Sequence, residues 1–160
     1  MPMEAKYEVT ASSQALRALQ AQIGNRSVPN RQVATQLYAE VMHYFDSQGN
    51  AGVPWAPLAP STLRTYARKG EAHPRILERT GHLRASWLPF SDDEVAGVGA
   101  RSAVSIEPEG VDAADLAIIH ELGTDHIPAR PMLPSRERGL EIAMQVYNAY
   151  IARAAQEASA

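Results

Sequence analysis

The residues best suited to chemistry stand close together: His120, Glu121, Asp125 and His126. His-Glu with a second histidine four places after the first is the helical zinc pattern of metalloproteases, because imidazoles at i and i+4 share one helix face. Position 124 is a threonine, so that pattern is incomplete. An alternative set, His120 and His126 with Asp125 and Glu121 across the Gly123 turn, would make the chain a metal-dependent hydrolase. The plainer reading of His120 is a buried, hydrogen-bonded histidine. Gly97-Val98-Gly99 lacks the later glycine and following helix of a phosphate-binding loop and reads as a pair of strand glycines. The chain has no cysteine, which removes disulfides, thiolate ligands and thiol nucleophiles. No Ser-His-Asp order, paired carboxylates or lysine nucleophile stands out, so no catalytic residue, metal or cofactor is assigned and the chain is read as a non-enzyme.

The elements that would position those side chains centre on Ala117 to Pro134. This stretch begins apolar, breaks at Gly123, and continues into a strip holding Pro128, Pro131 and Pro134. Proline fixes φ and restricts its predecessor, so Ile127-Pro128-Ala129-Arg130-Pro131 is a stiff extended strip. It is expected to fix the final helix against a sheet and to offer Arg130 to a carboxylate within the domain or to a neighbouring subunit.

Around it, the spacing predicts an α+β domain: a small antiparallel meander with helices on one face and a long C-terminal helix. Residues 1–11 read as a strand or a flexible arm, and Ser12 to Gly24 as a short helix. Asn30 is placed to cap a helix carrying Val33, Leu37, Val41, Tyr44 and Phe45 inward to about Asp46. His43 lies off that stripe. Ser47 to Pro60 reads as loop, with Trp55 and Leu58 folded back on the core or held for a partner. Ser61 is expected to cap a short helix closed by Gly70, and Thr80 another with Leu83 and Trp87 inward. Three strands follow, over Leu88 and Phe90, Val95 to Val98, and Val104 to Ile106. Asp112 can cap a helix ended by Gly123, although a strand over Leu116 to Leu122 also fits. Glu137 to Ala155 reads as a helix with Leu140, Met144, Tyr147 and Ile151 on its inner face, lying across the sheet.

The 160 residues suit one domain, and no apolar run reaches the length of a membrane span. No secretory leader is evident at the N-terminus, so a cytoplasmic product is expected. Net charge is -3, which argues against a broad basic nucleic-acid face, yet the charge is unevenly spread. Arg64, Arg68, Lys69, Arg75, Arg79 and Arg84 outweigh Glu71 and Glu78 between Arg64 and Arg84, a local balance of +4. From Ser91 to Asp115 the balance is -6, led by Asp92, Asp93 and Glu94. These are two ordinary solvated faces or complementary patches that meet between copies, and head-to-tail contact of unlike patches closes rings or grows filaments.

Three segments in order carry a resemblance. They are Gly52-Val53-Pro54-Trp55-Ala56-Pro57-Leu58 with Pro60-Ser61-Thr62-Leu63, Ile76-Leu77-Glu78-Arg79-Thr80-Gly81-His82-Leu83-Arg84-Ala85-Ser86, and Ile119-His120-Glu121-Leu122-Gly123-Thr124 with Ile127-Pro128-Ala129-Arg130-Pro131. Together they resemble the tailed-phage virion-morphogenesis family, which includes Mu-type protein G and tail-completion proteins. The resemblance spans about Phe45 to Leu133, and Trp55, Thr80, Gly81, Leu83, His120, Gly123, Arg130 and Pro131 would be its family positions. The segment after Gly123 is short and lacks the long insertions of some relatives. The resemblance implies a structural assembly protein at the head-tail neck or head-proximal tail end, moving from host cytoplasm into the virion. Its expected partners are further copies in a ring, connector and tail-tube proteins, and packaged DNA touched without base reading; no membrane is implied. Trp55, Arg64, Arg68, Lys69, Asp92, Asp93, Glu94 and Arg130 are the candidate subunit contacts, the DNA-contacting channel and the hydrolase standing as alternatives, with a small cytoplasmic regulator as a third class.

Overall fold

The computed structural model describes residues 17, 20, 21, 23–102, 105, 106 and 111–158. The expected arm at 1–11, most of the helix expected over Ser12 to Gly24, and Val104 of the third expected strand lie outside them. The fold is α+β. In chain order it comprises α1 (Ser27–Ser47), β1 (Gly49–Asn50), β2 (Val53–Pro54), α2 (Pro60–Arg68), α3 (His82–Ser86) and β3 (Trp87–Ser91). Then come β4 (Ala96–Ala100), β5 (Ser105–Ile106), β6 (Val111–Asp112), α4 (Ala113–Leu122) and α5 (Arg136–Ala158).

Helix α1 is the hub, with β3, β4 and α5 all packed on it. Its apolar stripe goes inward as the period demands: Val33, Val41, Tyr44 and Phe45 are buried. The helix starts earlier than expected, at Ser27, with Pro29 in the first turn where a missing N–H costs nothing. Asn30 is therefore not the N-cap. Its own N–H reaches Arg26 O at 2.9 Å, and its buried amide is used in tertiary bonding described below.

The expected loop after α1 contains a two-residue ladder, Gly49 opposite Pro54 and Asn50 opposite Val53. Ala51 and Gly52 make its turn at φ 49 and 82, the left-handed pair that a two-residue hairpin loop requires. Two capping expectations also change. Ala59 precedes α2 with Pro60 at the first position, and Gly81 precedes α3, so neither Ser61 nor Thr80 supplies a cap bond.

Strands β3 and β4 form an antiparallel hairpin, Trp87 opposite Ala100 through Ser91 opposite Ala96. The third expected strand does not join them: Ser105 and Ile106 pair instead with Asp112 and Val111. The described strands thus make separate two-stranded ladders rather than one meander. Only Trp87 of β3 is buried; Leu88 and Phe90 face outward, and the Phe90 ring lies over the Gly97 backbone, where a Cβ would stand 2.4 Å from its Cζ. Helix α4 is the helix that the Asp112 cap and Gly123 stop predict, with Asp112 Oδ1 accepting from Ala114 N at 2.8 Å.

Helix α5 runs antiparallel along α1 rather than across a sheet, tied by Arg138 to Glu40 near one end and Tyr147 to Asn30 toward the other. Its inner face is Ile142, Val146 and Ala154, with Ile142 and Val146 packed on Val33. The expected inner stripe is the outer one: Leu140 is 59 % exposed, Met144 56 % and Ile151 39 %, and Tyr147 alone is half-buried. Arg138 holds Glu40 through both carboxylate oxygens, at 2.9 and 3.3 Å, and this bond is the main reason the Glu40 pKa falls below its ordinary value. Tyr44, which donates to Glu40 at 3.2 Å, is pushed up to about 12, mainly by burial.

A lowered carboxyl pKa contributes stability that is present above the unfolded value and lost as pH falls through the folded one. Because Arg138 is partly solvent-screened, Glu40→Gln should cost only about 1 kcal/mol at pH 7. That deficit should shrink as the pH drops below about 4.5. Urea unfolding of both proteins at pH 7 and pH 3.5 checks this, and an equal deficit at both would overturn it.

Candidate assembly surface

The three segments that carry the resemblance converge at one place. Trp55 is 4 % exposed, packs edge-on against Phe45 with centroids 5.4 Å apart, and donates from Nε1 to Pro131 O at 2.7 Å. Asn50 donates to the Pro131 and Leu133 carbonyls at 3.2 and 2.9 Å, so the first hairpin grips the proline strip from one side. From the other side, Glu121 Oε2 accepts the Met132 and Leu133 N–H groups at 2.6 and 3.1 Å, and Arg130 N reaches His120 O at 2.6 Å. The strip is rigid because its backbone polar groups are taken up on both sides, beyond what its prolines impose.

Arg130 meets no carboxylate within the described residues. It is 6 % exposed and donates from Nε to Ala56 O at 2.9 Å and from Nη2 to Pro57 O at 3.0 Å. Trp55 and Arg130, both almost wholly buried, therefore lock the tryptophan loop to the strip. His120 is partly buried; burial first, and the Arg130 charge second, hold its pKa below the ordinary value. Its Nδ1 is buried without a hydrogen-bond partner among the described residues. Of the other residues in the alternative metal set, Glu121 is committed to backbone N–H groups, while Asp125 and His126 are exposed in a turn that Thr124 Oγ1 closes by accepting from Ile127 N at 3.0 Å. No group of three or more His, Asp or Glu side chains among the described residues is placed to hold a metal ion.

The charged patches divide by use. Arg75 Nη2 caps α1 through Phe45 O at 2.7 Å and pairs with Glu78 at 3.1 Å. Arg84 pairs with Asp46 at 2.7 Å and with Glu78 at 3.3 Å. These arginines neutralise the carbonyl end of α1, where the helix dipole favours cations. Arg64, Arg68 and Lys69, at the end of α2, are exposed and form no ion pair with a described residue. In the acidic patch, Asp92 Oδ1 accepts from Glu94 N at 2.7 Å and Val95 N at 2.8 Å, and these bonds hold its carboxyl below the usual range. Asp93 and Glu94 form the exposed tip of the β3–β4 turn, and their carboxylates pair with no described residue.

The tertiary pairings of Asn30 with Tyr147 and of Glu40 with Arg138 escaped the sequence reading. Asn30 Nδ2 donates to Asp92 O at 2.8 Å and its Oδ1 accepts from Tyr147 at 2.6 Å, fixing the acidic turn to the start of α1. No local signal marks these partners, which lie far apart in sequence. The consequence is directional: the acidic turn is at the Asn30 end of α1, while residues 75–84 gather at its Phe45 end. Asn30 and Phe45 stand about 22 Å apart along a helix rising 1.5 Å per residue.

These parts define a small α+β fold with a helical spine, the Asp92–Glu94 turn at one end and the Arg75 and Arg84 group at the other. The chain belongs to the phage virion morphogenesis family, whose model matches residues 7–151. Nothing matches it among curated proteins or among solved structures. Its role is accordingly in phage virion assembly. Among the described residues no helix is long and apolar enough to cross a membrane.

Proposed function

We propose that this protein is a non-enzymatic subunit of the head-tail neck or the head-proximal tail end. Copies join head to tail in a ring that completes the tail or attaches it to the head. The observation that carries this reading is the placement of uncompensated charge: Arg64, Arg68 and Lys69 toward one end of α1 and Asp93 and Glu94 at the other. Trp55, five residues before α2, packs on Phe45, and Leu58 lines one cavity with Leu77, Arg79 and Thr80, so the chain enters α2 beside the Phe45 end. A rigid spine keeps the two groups too far apart to meet within one chain, so contact with another copy is the simplest way to satisfy both. Such a contact is heterologous, and its rotation decides between a closed ring and an open filament. Connector and tail-tube proteins would then stack on the ring's two faces.

Reversing Arg64, Arg68 and Lys69 to glutamate should abolish self-assembly at low salt in native mass spectrometry. Mixing that variant with Asp93→Lys/Glu94→Lys should restore assembly as alternating copies, because unlike ends are again opposed. Unchanged assembly of the first variant alone would overturn the reading.

A further inference from the structure

Beside the basic end lies a cavity of about 360 Å³ with an unusual floor. Leu77, Leu83 and Leu116 supply apolar wall, and Arg79, Thr80, His120 and Arg130 supply the polar groups. Arg130 is almost wholly buried, yet what it finds inside the domain is two neutral carbonyls. Next to it, His120 Nδ1 is buried with no partner among the described residues. A buried cation without a counter-ion costs several kcal/mol, and a group that brings negative charge to it meets a guanidinium already stripped of water. The apolar wall asks that the charge arrive on a short stem with hydrophobic neighbours rather than as a free hydrated ion.

The molecule itself carries such a group. At the far end of α1, the Asp93–Glu94 tip projects between Phe90, 54 % exposed, and Val95, 49 % exposed. Its own turn is closed without those two carboxylates, by Asp92. Leu77, in the cavity wall, holds φ 62, a conformation that a leucine keeps only where the surroundings impose it, so the wall is a preset shape.

We propose that this cavity is the receiving half of the subunit contact, taking a carboxylate from the Asp93–Glu94 tip of a second copy against Arg130 and His120. This deepens the head-to-tail reading above and rests on it. The α2 cations then guide the tip electrostatically, and the cavity seats it. Fixed register is what distinguishes a ring of set size from a sticky charge contact.

The absence of cysteine makes the test direct. Full-length Thr80→Cys and Asp93→Cys proteins, both substituted at exposed positions, are mixed under mild oxidation and resolved without reductant; Lys69→Cys with Asp93→Cys serves as the reference pair. The expected result is a mixed disulfide dimer from Thr80→Cys with Asp93→Cys as the dominant product. Adding Glu94→Gln to the Asp93→Cys protein should cut its yield about tenfold, the loss of one charge-assisted hydrogen bond. Cross-linking only through Lys69→Cys would overturn the cavity's role while leaving the head-to-tail contact standing. Cross-linking through neither pair, with assembly intact by native mass spectrometry, would overturn both, and so would the absence of assembly in the parent protein.

Discussion

Trp55→Ala should lower stability by about 3–5 kcal/mol, the range for removing a large aromatic side chain from a packed core. In a chain of this size that is a fall in Tm of roughly 6–20 °C. Two separable contributions make up this loss. The indole fills the core beside Phe45, Leu83 and Met132, where its loss leaves a cavity that rigid neighbours cannot close. Its Nε1–H also satisfies the Pro131 carbonyl, and through it the tryptophan loop is joined to the proline strip. Trp55→Phe separates the two: it retains most of the apolar volume and should cost about 1 kcal/mol for the missing bond beyond a small packing loss. Thermal unfolding of the three proteins checks this, and a loss below about 1 kcal/mol for the alanine variant would show that Trp55 does not hold the loop.

Gly123→Ala should have the second large effect, about 3 kcal/mol. Gly123 ends α4 at φ 73 and ψ 175, a region that side chains avoid. Space is also lacking. A Cβ there would stand 2.8 Å from Ala129 N and 3.0 Å from Ile127 O, which are backbone atoms of the returning strip. Relieving the clash means moving the strip away from α4, which loosens the Arg130 N to His120 O bond and the grip of Glu121 on Met132 and Leu133. The substitution should therefore disturb the strip as well as the helix end. Urea unfolding gives the magnitude, and hydrogen exchange at Arg130, Met132 and Leu133 shows whether the strip loosens. Native-like protection of those amides would sink this account of Gly123.

The same two residues show how far local sequence signals reach. Gly123 is legible because a helix stop is a local event: an apolar run from an Asp112 cap, followed by glycine, is readable within a dozen residues. Helix α1 is legible for the same reason, since Val33, Val41, Tyr44 and Phe45 recur at the helical period, and so is the stiffness of the proline strip. Trp55 is legible only as a dilemma, a large apolar group in a loop, because nothing nearby says whether it folds in or waits for a partner. The structure resolves it through Pro131, a partner far along the chain.

The sequence by itself determined the α+β class, the presence of helices α1 and α5, the Asp112 cap and Gly123 stop that bound α4, and the two unlike charge patches, all of which follow from short-range period, capping and composition. Tertiary structure alone decided which side of α5 is inside. Leu140, Met144, Tyr147 and Ile151 match the helical period, but the face built on Ile142 and Val146 meets Val33 of α1, and the Glu40–Arg138 and Asn30–Tyr147 bonds lock that choice. It also decided that Arg130 serves carbonyls, that the β5 run pairs with β6, and that the Asp92–Glu94 turn and the Arg75 and Arg84 group sit at opposite ends of one spine. Each of these depends on groups brought together across long stretches of chain, where spacing along the sequence carries no record of which side chain will find which partner.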